Sequence, residues 1–332
     1  MSLLSLKIPA LRGVPILMYH GVVADDCGWA QWTQIPLRQF TEHMEFLAAN
    51  YNVISLREFL RDYETGSLSP NTAVITFDDG FRNVYTRAFP ILQRLGLPAT
   101  IFVTTGFIGT QNILWPDELF CLMQQVNAGS LDLPDLQLRE SWKDVESREP
   151  VYLRLLSLLK ELNIDQKSQV VALIREQLNV TASTDVSFTE FQACEWNQLR
   201  EMKASGLIDI GAHTVSHEIL SRLDDTTLNR EIEDSCSTVM SELEDICPVF
   251  AYPNGQPADF DKRVIKPLEQ QNIRAALTTI DGLSRATDDP FSIRRVPIGN
   301  ETNLESALHQ YIKWCGIPFQ LRQTARSLFV SG

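Results

Sequence analysis

The sequence predicts an α/β fold, a β/α barrel that is either complete or deformed. Three observations carry this expectation. Short apolar runs alternate with stretches of helical spacing, which predicts parallel strands with helices outside. The alternation breaks once, from about residue 112 to 192, and then resumes. Polar residues able to do chemistry stand where strands end, and such barrels carry their chemistry at that face.

The elements follow in order. "VPILMYHGV" (14–22) reads as a buried strand, and "PLRQFTEHMEFLAANY" (36–51) has helical spacing. "NVISLREFLRDYETG" (52–66) reads as a short strand and a helix, and "NTAVITFDDG" as the next strand. "YTRAFPILQRLGL" (85–97) is a helix closed by Gly96, and "PATIFVTTGFIG" (98–109) another apolar strand. From about 112 to 192 the chain is Leu-rich, charged and helical in spacing, with polar breaks at 127–136 and 181–188 and no convincing strand. We read it as a helical insertion. The alternation returns with "EWNQLREMKASGL" as helix, "IDIGAHTVSHEIL" as strand and turn, and a helix over 225–245. Strand "PVFAYPNG", a helix over 259–272, and strands "RAALTTI" and "FSIRRVPIG" complete the pattern. Residues 1–332 are therefore expected to form one domain carrying the insertion.

The 332 residues leave room for a large core, and 44% hydrophobic with 21% charged residues is the balance of a globular protein. A formal net charge of −13 argues against a nucleic-acid or anionic-membrane partner, and leaves a neutral sugar or peptide open. No apolar run is long enough to span a bilayer, and the N-terminal stretch has no uninterrupted apolar core of a signal peptide. The six cysteines are scattered without a CxxC pair, which reads as reduced thiols in a cytoplasmic protein.

In "TFDDG" an apolar strand ends in adjacent carboxylates, Asp78 and Asp79, with Gly80 to turn the chain. Burying either anion costs several kcal/mol without a partner. In "GAHTVSH" His213 and His217 are four apart, so on a helical turn both imidazoles would share one face. Two histidines and a carboxylate make a common facial zinc site with positions left open. One aspartate would bind the cation and the other would stay free as a base. A third histidine, His20, follows the strand "ILMY", although the chain has only five histidines.

With "TFDDG" and "HTVSH" in this order, the chain resembles the NodB-homology polysaccharide deacetylases, carbohydrate esterase family 4, over about 14–110 and 195–300. The resemblance implies a deformed (β/α) barrel of the polysaccharide-deacetylase type. It implies that Asp78 is the general base and that Asp79, His213 and His217 bind the metal. The family's third motif maps onto "AYPNG": Pro253 and Gly255 match, and Asn254 takes the position whose backbone N–H serves as oxyanion donor. Ala251 stands where the family has an arginine that pairs with the base. "FSIRRVPIG" offers a replacement, and because strand side chains alternate, only one of Arg294 and Arg295 points inward; Arg295 is the choice. "ILMYHGV" is similar to the subgroup related to biofilm poly-N-acetylglucosamine deacetylases, which implies that His20 is the general acid. The family's late histidine has no counterpart, since His309 lies in sequence of helical spacing.

These residues imply hydrolysis of an N-acetyl amide on a carbohydrate. Zinc suits the ligand set, with cobalt, manganese or nickel as alternatives. Trp29, Trp32 and Trp115 are candidates for stacking on sugar rings, and Tyr252 and Pro253 for lining the pocket beside Asn254. Trp196 is read as core, and the run "DDTTLNREIEDSCSTVMSELED" as the solvated face of a helix. Two other functions fit the pattern: an amidohydrolase of a small cyclic amide or ureide, and a carbohydrate-binding protein without catalysis.

Overall fold

The computed structural model describes residues 13–29, 31–180 and 186–313. Seven parallel strands form the centre: β1 (Ile16–Tyr19), β2 (Thr72–Phe77), β3 (Ala99–Val103), β4 (Ile208–Ala212), β5 (Val249–Ala251), β6 (Ala275–Asp281) and β7 (Ile293–Pro297). They pair in chain order around a ring, and β7 returns to β1. Between β4 and β5 closure is nearly complete; there Cys247 N–H donates to Ile210 O at 2.8 Å just before β5. The fold is thus a nearly closed, deformed β/α barrel. The short strand Asn52–Val53 adds to the start of β2.

Eleven α-helices lie among the described residues. Before the insertion come α1 (Leu37–Asn50), α2 (Leu56–Glu64) and α3 (Phe89–Leu95). Next come α4 (Trp115–Gln124), α5 (Val145–Lys160), α6 (Ile164–Gln177) and α7 (Val186–Glu190) of the insertion. The barrel resumes with α8 (Trp196–Ala204), α9 (Asp225–Leu243), α10 (Ile265–Gln270) and α11 (Leu304–Lys313). Local sequence accounts for their bounds. Ser55 and Glu58 form a reciprocal capping box that starts α2, and left-handed Gly96 (φ 65°) ends α3. In α9 Leu228, Ile232, Cys236, Val239 and Leu243 recur on one buried face, and the Asp224 side chain caps its start. Every residue of β2 is buried, as expected for a parallel strand covered on both faces.

The insertion differs from the expected all-helical segment. Between α4 and α5 it carries an antiparallel hairpin, Gly129–Leu133 with Leu138–Trp142. The signal is a period of two: Leu131, Leu133, Leu138 and Trp142 are buried while intervening residues face outward. Helix α4 faces two ways. Leu119, Leu122 and Met123 pack in the insertion's own core, while Phe120 and Cys121 join the barrel core. The insertion is therefore anchored on the barrel through α4. Trp196 packs against the barrel core, and His309 lies on α11. Five cysteines are free thiols; Cys315 and the N-terminal stretch read for targeting lie outside the described residues. No helix among the described residues is long and apolar enough to cross a membrane.

Candidate active site

Parallel register assembles the site. Tyr19 pairs with Phe77, so the residues that follow, His20 and Asp78, leave β1 and β2 side by side. Val103 pairs with Ala212, and His213 N–H donates to Val103 O at 3.0 Å. This sets His213 at the end of β4, with only β3 between it and the end of β2. The chain reverses sharply after Asp78. Asp79 has φ 71° and Gly80 has φ 78°. A Cβ on Gly80 would also lie 3.0 Å from Val103 Cγ1, so glycine avoids both backbone strain and a crowded contact there.

The reversal sends the two carboxylates into different surroundings. Asp78 is gripped by Arg295 through two parallel hydrogen bonds, Nη1 to Oδ1 at 2.8 Å and Nη2 to Oδ2 at 2.7 Å. Arg295 is inside the barrel with no exposed surface, and it also donates from Nε to Thr278 O at 2.8 Å. Its neighbour Arg294 is only partly buried on the other face of β7. Ala251, the residue in the family's arginine position, offers a backbone carbonyl to His213 instead. Burial pushes the Asp78 carboxyl up, but the Arg295 charge and hydrogen bonds, with His213 and His20, hold it down at about 2.

Asp79 faces His213 and His217. Its Oδ1 lies 3.6 Å from His213 Nε2 and 3.4 Å from His217 Nε2. Buried Asp79 Oδ1 has no hydrogen-bond donor. Burial, then the charges of Asp117 and Asp78, push its carboxyl well above the usual range. The donor set fits a divalent cation. The three ligand atoms lie within 4.8 Å of one another, and bonds of about 2.1 Å to one tetrahedral ion would place ligand atoms about 3.4 Å apart. His213 Nδ1–H donates to Ala251 O at 2.7 Å, which leaves the Nε2 lone pair turned toward Asp79. Burial holds both histidines below their ordinary range, and for His217 the His213 charge acts in the same direction. Neutral imidazoles are what metal ligation requires.

The two histidines do not share a helical face. Residues 213–217 form a loop with Thr214 at φ 66° and His217 at φ 60°. The rings still approach with centroids 5.0 Å apart. A helix fails because the loop packs on the end of β3: Gly106 N–H donates to Val215 O at 2.9 Å, and any Cβ on Gly106 would come within 2.6 Å of that oxygen.

His20 is half-buried, and its Nδ1 has no hydrogen-bond partner. Burial lowers it to about 4, opposed by the Asp78 charge. Trp32 meets it edge-on at 5.0 Å between centroids and is 50% exposed. Trp32 comes from the loop that joins two short paired strands, Gly21–Val23 and Gln34–Pro36. The other aromatics are engaged elsewhere. Trp29 stacks on Phe191 in the core, and Lys167 sits over the ring of half-buried Trp115 at 5.5 Å. Tyr252, expected beside the substrate, is 1% exposed, stacks on Phe260 at 4.4 Å and donates its hydroxyl to Phe291 O. It is a core residue, because at the end of β5 the alternation turns it away from the barrel interior, against the helix layer and that ring. Pro253 is buried, and Asn254 follows it in left-handed conformation at φ 59°. No acceptor among the described residues takes the Asn254 N–H, while its carbonyl accepts from Thr279 Oγ1.

Sequence reasoning passed over three groups near the cluster. Asp117 of α4 is a buried carboxylate, and burial pushes it up to about 8. Lys167 of α6 pairs with Glu218. Glu231 of α9 binds the histidine loop. Only Glu218, next to His217, stood where a motif drew attention.

A deformed parallel barrel with paired carboxylates and two histidines at its C-terminal end defines the class of fold and site. A family model for polysaccharide deacetylases matches residues 65–276, and the chain belongs to that family, the NodB-homology deacetylases. It is 32% identical over 108 residues to YxkH of Bacillus subtilis, covering 32% of this chain and 37% of that protein. It is 33% identical over 76 residues to the poly-β-1,6-N-acetyl-D-glucosamine N-deacetylase of Staphylococcus epidermidis, covering 23% and 26%. The aligned stretch thus spans well under half of either relative. Among solved structures, the deacetylase PplD of Streptococcus pyogenes superposes with TM-score 0.59 at 19% identity, covering 90% of this chain and 98% of that one. IcaB of Ammonifex degensii gives TM-score 0.57 at 19% identity, covering 91% and 96%. At that identity the two structures speak for the fold.

Proposed function

We propose that this protein is a metal-dependent hydrolase that removes N-acetyl groups from an amino-sugar polysaccharide or its precursor. The observation that carries the reading is the Asp79–His213–His217 cluster beside the Asp78–Arg295 pair at one end of the barrel. Family membership and similarity to a protein named as a poly-β-1,6-N-acetyl-D-glucosamine N-deacetylase support the substrate class.

Asp79, His213 and His217 would hold the ion, zinc by donor type, with cobalt, manganese or nickel as substitutes. When bound, the ion would supply a Lewis acid able to acidify a water and polarise the acetyl carbonyl. Asp78 accepts the proton of the attacking water, and Arg295 keeps it ionised and aimed. The Asn254 N–H donates to the developing oxyanion. The amine leaves only when protonated, and His20 delivers that proton. With burial holding it at about 4, His20 is neutral at rest. The proton it delivers is therefore acquired during turnover. Asp78, held at about 2, is a poor store for that proton, which favours passing it on to His20.

Acetate release, read by mass spectrometry, tests this reading on a panel of N-acetylated saccharides with zinc- or cobalt-loaded protein. Release that is lost in Asp78→Asn is expected. Saccharide binding without release would instead favour the carbohydrate-binding reading. His20→Ala should slow an amide substrate by about 10²- to 10⁴-fold. It should slow an activated acetyl ester much less, because that leaving group needs little protonation. Equal losses on both would make His20 structural.

A further inference from the structure

The loop over residues 213–217 holds two non-glycine residues, Thr214 and His217, in left-handed conformation, which L side chains rarely adopt. It persists because it is gripped from three sides. From β3's end, Thr105 N–H and Gly106 N–H donate to Thr214 O and Val215 O at 3.1 and 2.9 Å. From α9, the Glu231 carboxylate accepts from Val215 N–H, Ser216 N–H and Ser216 Oγ at 2.9, 2.9 and 2.6 Å. The third grip comes from the insertion. Lys167 Nζ of α6 donates to both oxygens of Glu218 at 2.8 and 2.6 Å, 51 residues away in the chain. Lys167 is 2% exposed and Glu218 5%, and the same ammonium lies over the Trp115 ring.

A second observation shows what this grip is for. His213 is oriented by its own hydrogen bond to Ala251 O, but buried His217 Nδ1 has no partner. The position of the His217 ring therefore depends on how its backbone is held, and Glu218 is the next residue. A buried ion pair contributes little net stability, since apolar replacements of both partners are often neutral or better. Its effect here is geometric.

We propose that Lys167 is a positioning residue, and that through Glu218 the insertion fixes the loop so that His217 Nε2 meets Asp79 and His213. The insertion is then part of the metal-binding machinery, not an appendage to it. This inference rests on the metal reading of the cluster.

The test uses full-length Lys167→Met and the double variant Lys167→Met/Glu218→Met. Hydrogen exchange of residues 215–218 is measured in metal-free protein, and zinc affinity by chelator competition. Lys167→Met should speed exchange at least about tenfold and weaken zinc binding about 10- to 100-fold, the effect typical of groups that orient metal ligands. Lys167→Arg, which keeps the charge, should lie between it and the wild type. The double variant should regain thermal stability but not zinc affinity. A folded Lys167→Met with wild-type exchange and affinity would overturn the proposal, as would a double variant that regains both. If Lys167→Met does not fold, the double variant alone decides, and wild-type affinity in it is the overturning result. Should the wild type bind no zinc, the metal reading fails on its own, and the exchange rates still decide the clamp.

Discussion

Asp78 and Asp79 are chain neighbours, yet the two sides of the barrel mouth treat them in opposite ways. On the β7 side, Arg295 completes Asp78 with a bidentate grip and holds its carboxyl at about 2. On the β4 side, Asp79 Oδ1 faces the imidazole nitrogens of His213 and His217 at 3.6 and 3.4 Å, and burial drives the carboxyl up. One anion is neutralised by the protein itself. The other is buried with no cation in contact, Arg295 lowers it only in part, and a bound cation would relieve the cost of that burial. The contrast teaches that adjacency in sequence says nothing about role here; the partner across the barrel does.

The largest expected effect breaks the β4 side. Asp79→Ala or His213→Ala should lower bound metal from about one ion per chain to none, read by elemental analysis after purification in added zinc. Asp78→Asn should keep the metal, because it alters only the side held by Arg295. Parallel metal loss in both aspartate variants would abolish the distinction between them.

A smaller effect tests the β7 side. Arg295→Ala strips the partner from a buried carboxylate, a change that typically costs about 3–5 kcal/mol of stability. The sign follows from the depressed Asp78 carboxyl. The pair's contribution is present above the ordinary carboxylate range and fades as pH falls toward about 2. Without Arg295, burial raises Asp78, so the acid limb of the pH–rate profile should move upward and turnover fall at least about tenfold, with metal content unchanged. An unmoved acid limb would mean that Arg295 does not tune the base.

How much of this was legible follows from the same physics. Strands such as β2 announce themselves because apolar runs buried on both faces have few other uses. Arg295 was legible through strand alternation combined with Ala251 in the usual arginine's place. The histidine loop was not, because nothing in the residue types of Thr214 or His217 calls for positive φ. That shape is imposed by Gly106 and Glu231, remote in sequence. The hairpin in the insertion was hidden by its brevity between Leu-rich helices, although its alternation is plain in hindsight. Tyr252 shows the converse limit: a position beside a motif is no guide to which way a side chain turns.

The smallest effect concerns Asp117, the carboxylate that the insertion adds on Asp79's side of the comparison. It is 5% exposed, and burial alone pushes it up to about 8. Between the ordinary carboxylate range and about 8, the folded protein holds a proton on Asp117 that the unfolded chain has released. Stability from this group is therefore full at low pH and declines as pH rises across that window. The buried histidines act in the opposite sense, losing stability as pH falls, so the wild-type profile alone is a mixture. The difference from Asp117→Asn isolates the one group, because asparagine keeps the shape and cannot titrate. In metal-free protein, the melting temperature of the wild type should fall relative to that of Asp117→Asn between pH 5 and pH 8, by an amount on the order of a few degrees. The shift should be smaller than the loss caused by Arg295→Ala, since no buried charge is left without its partner. Identical pH dependence of the two proteins would show that Asp117 ionises freely in the folded state.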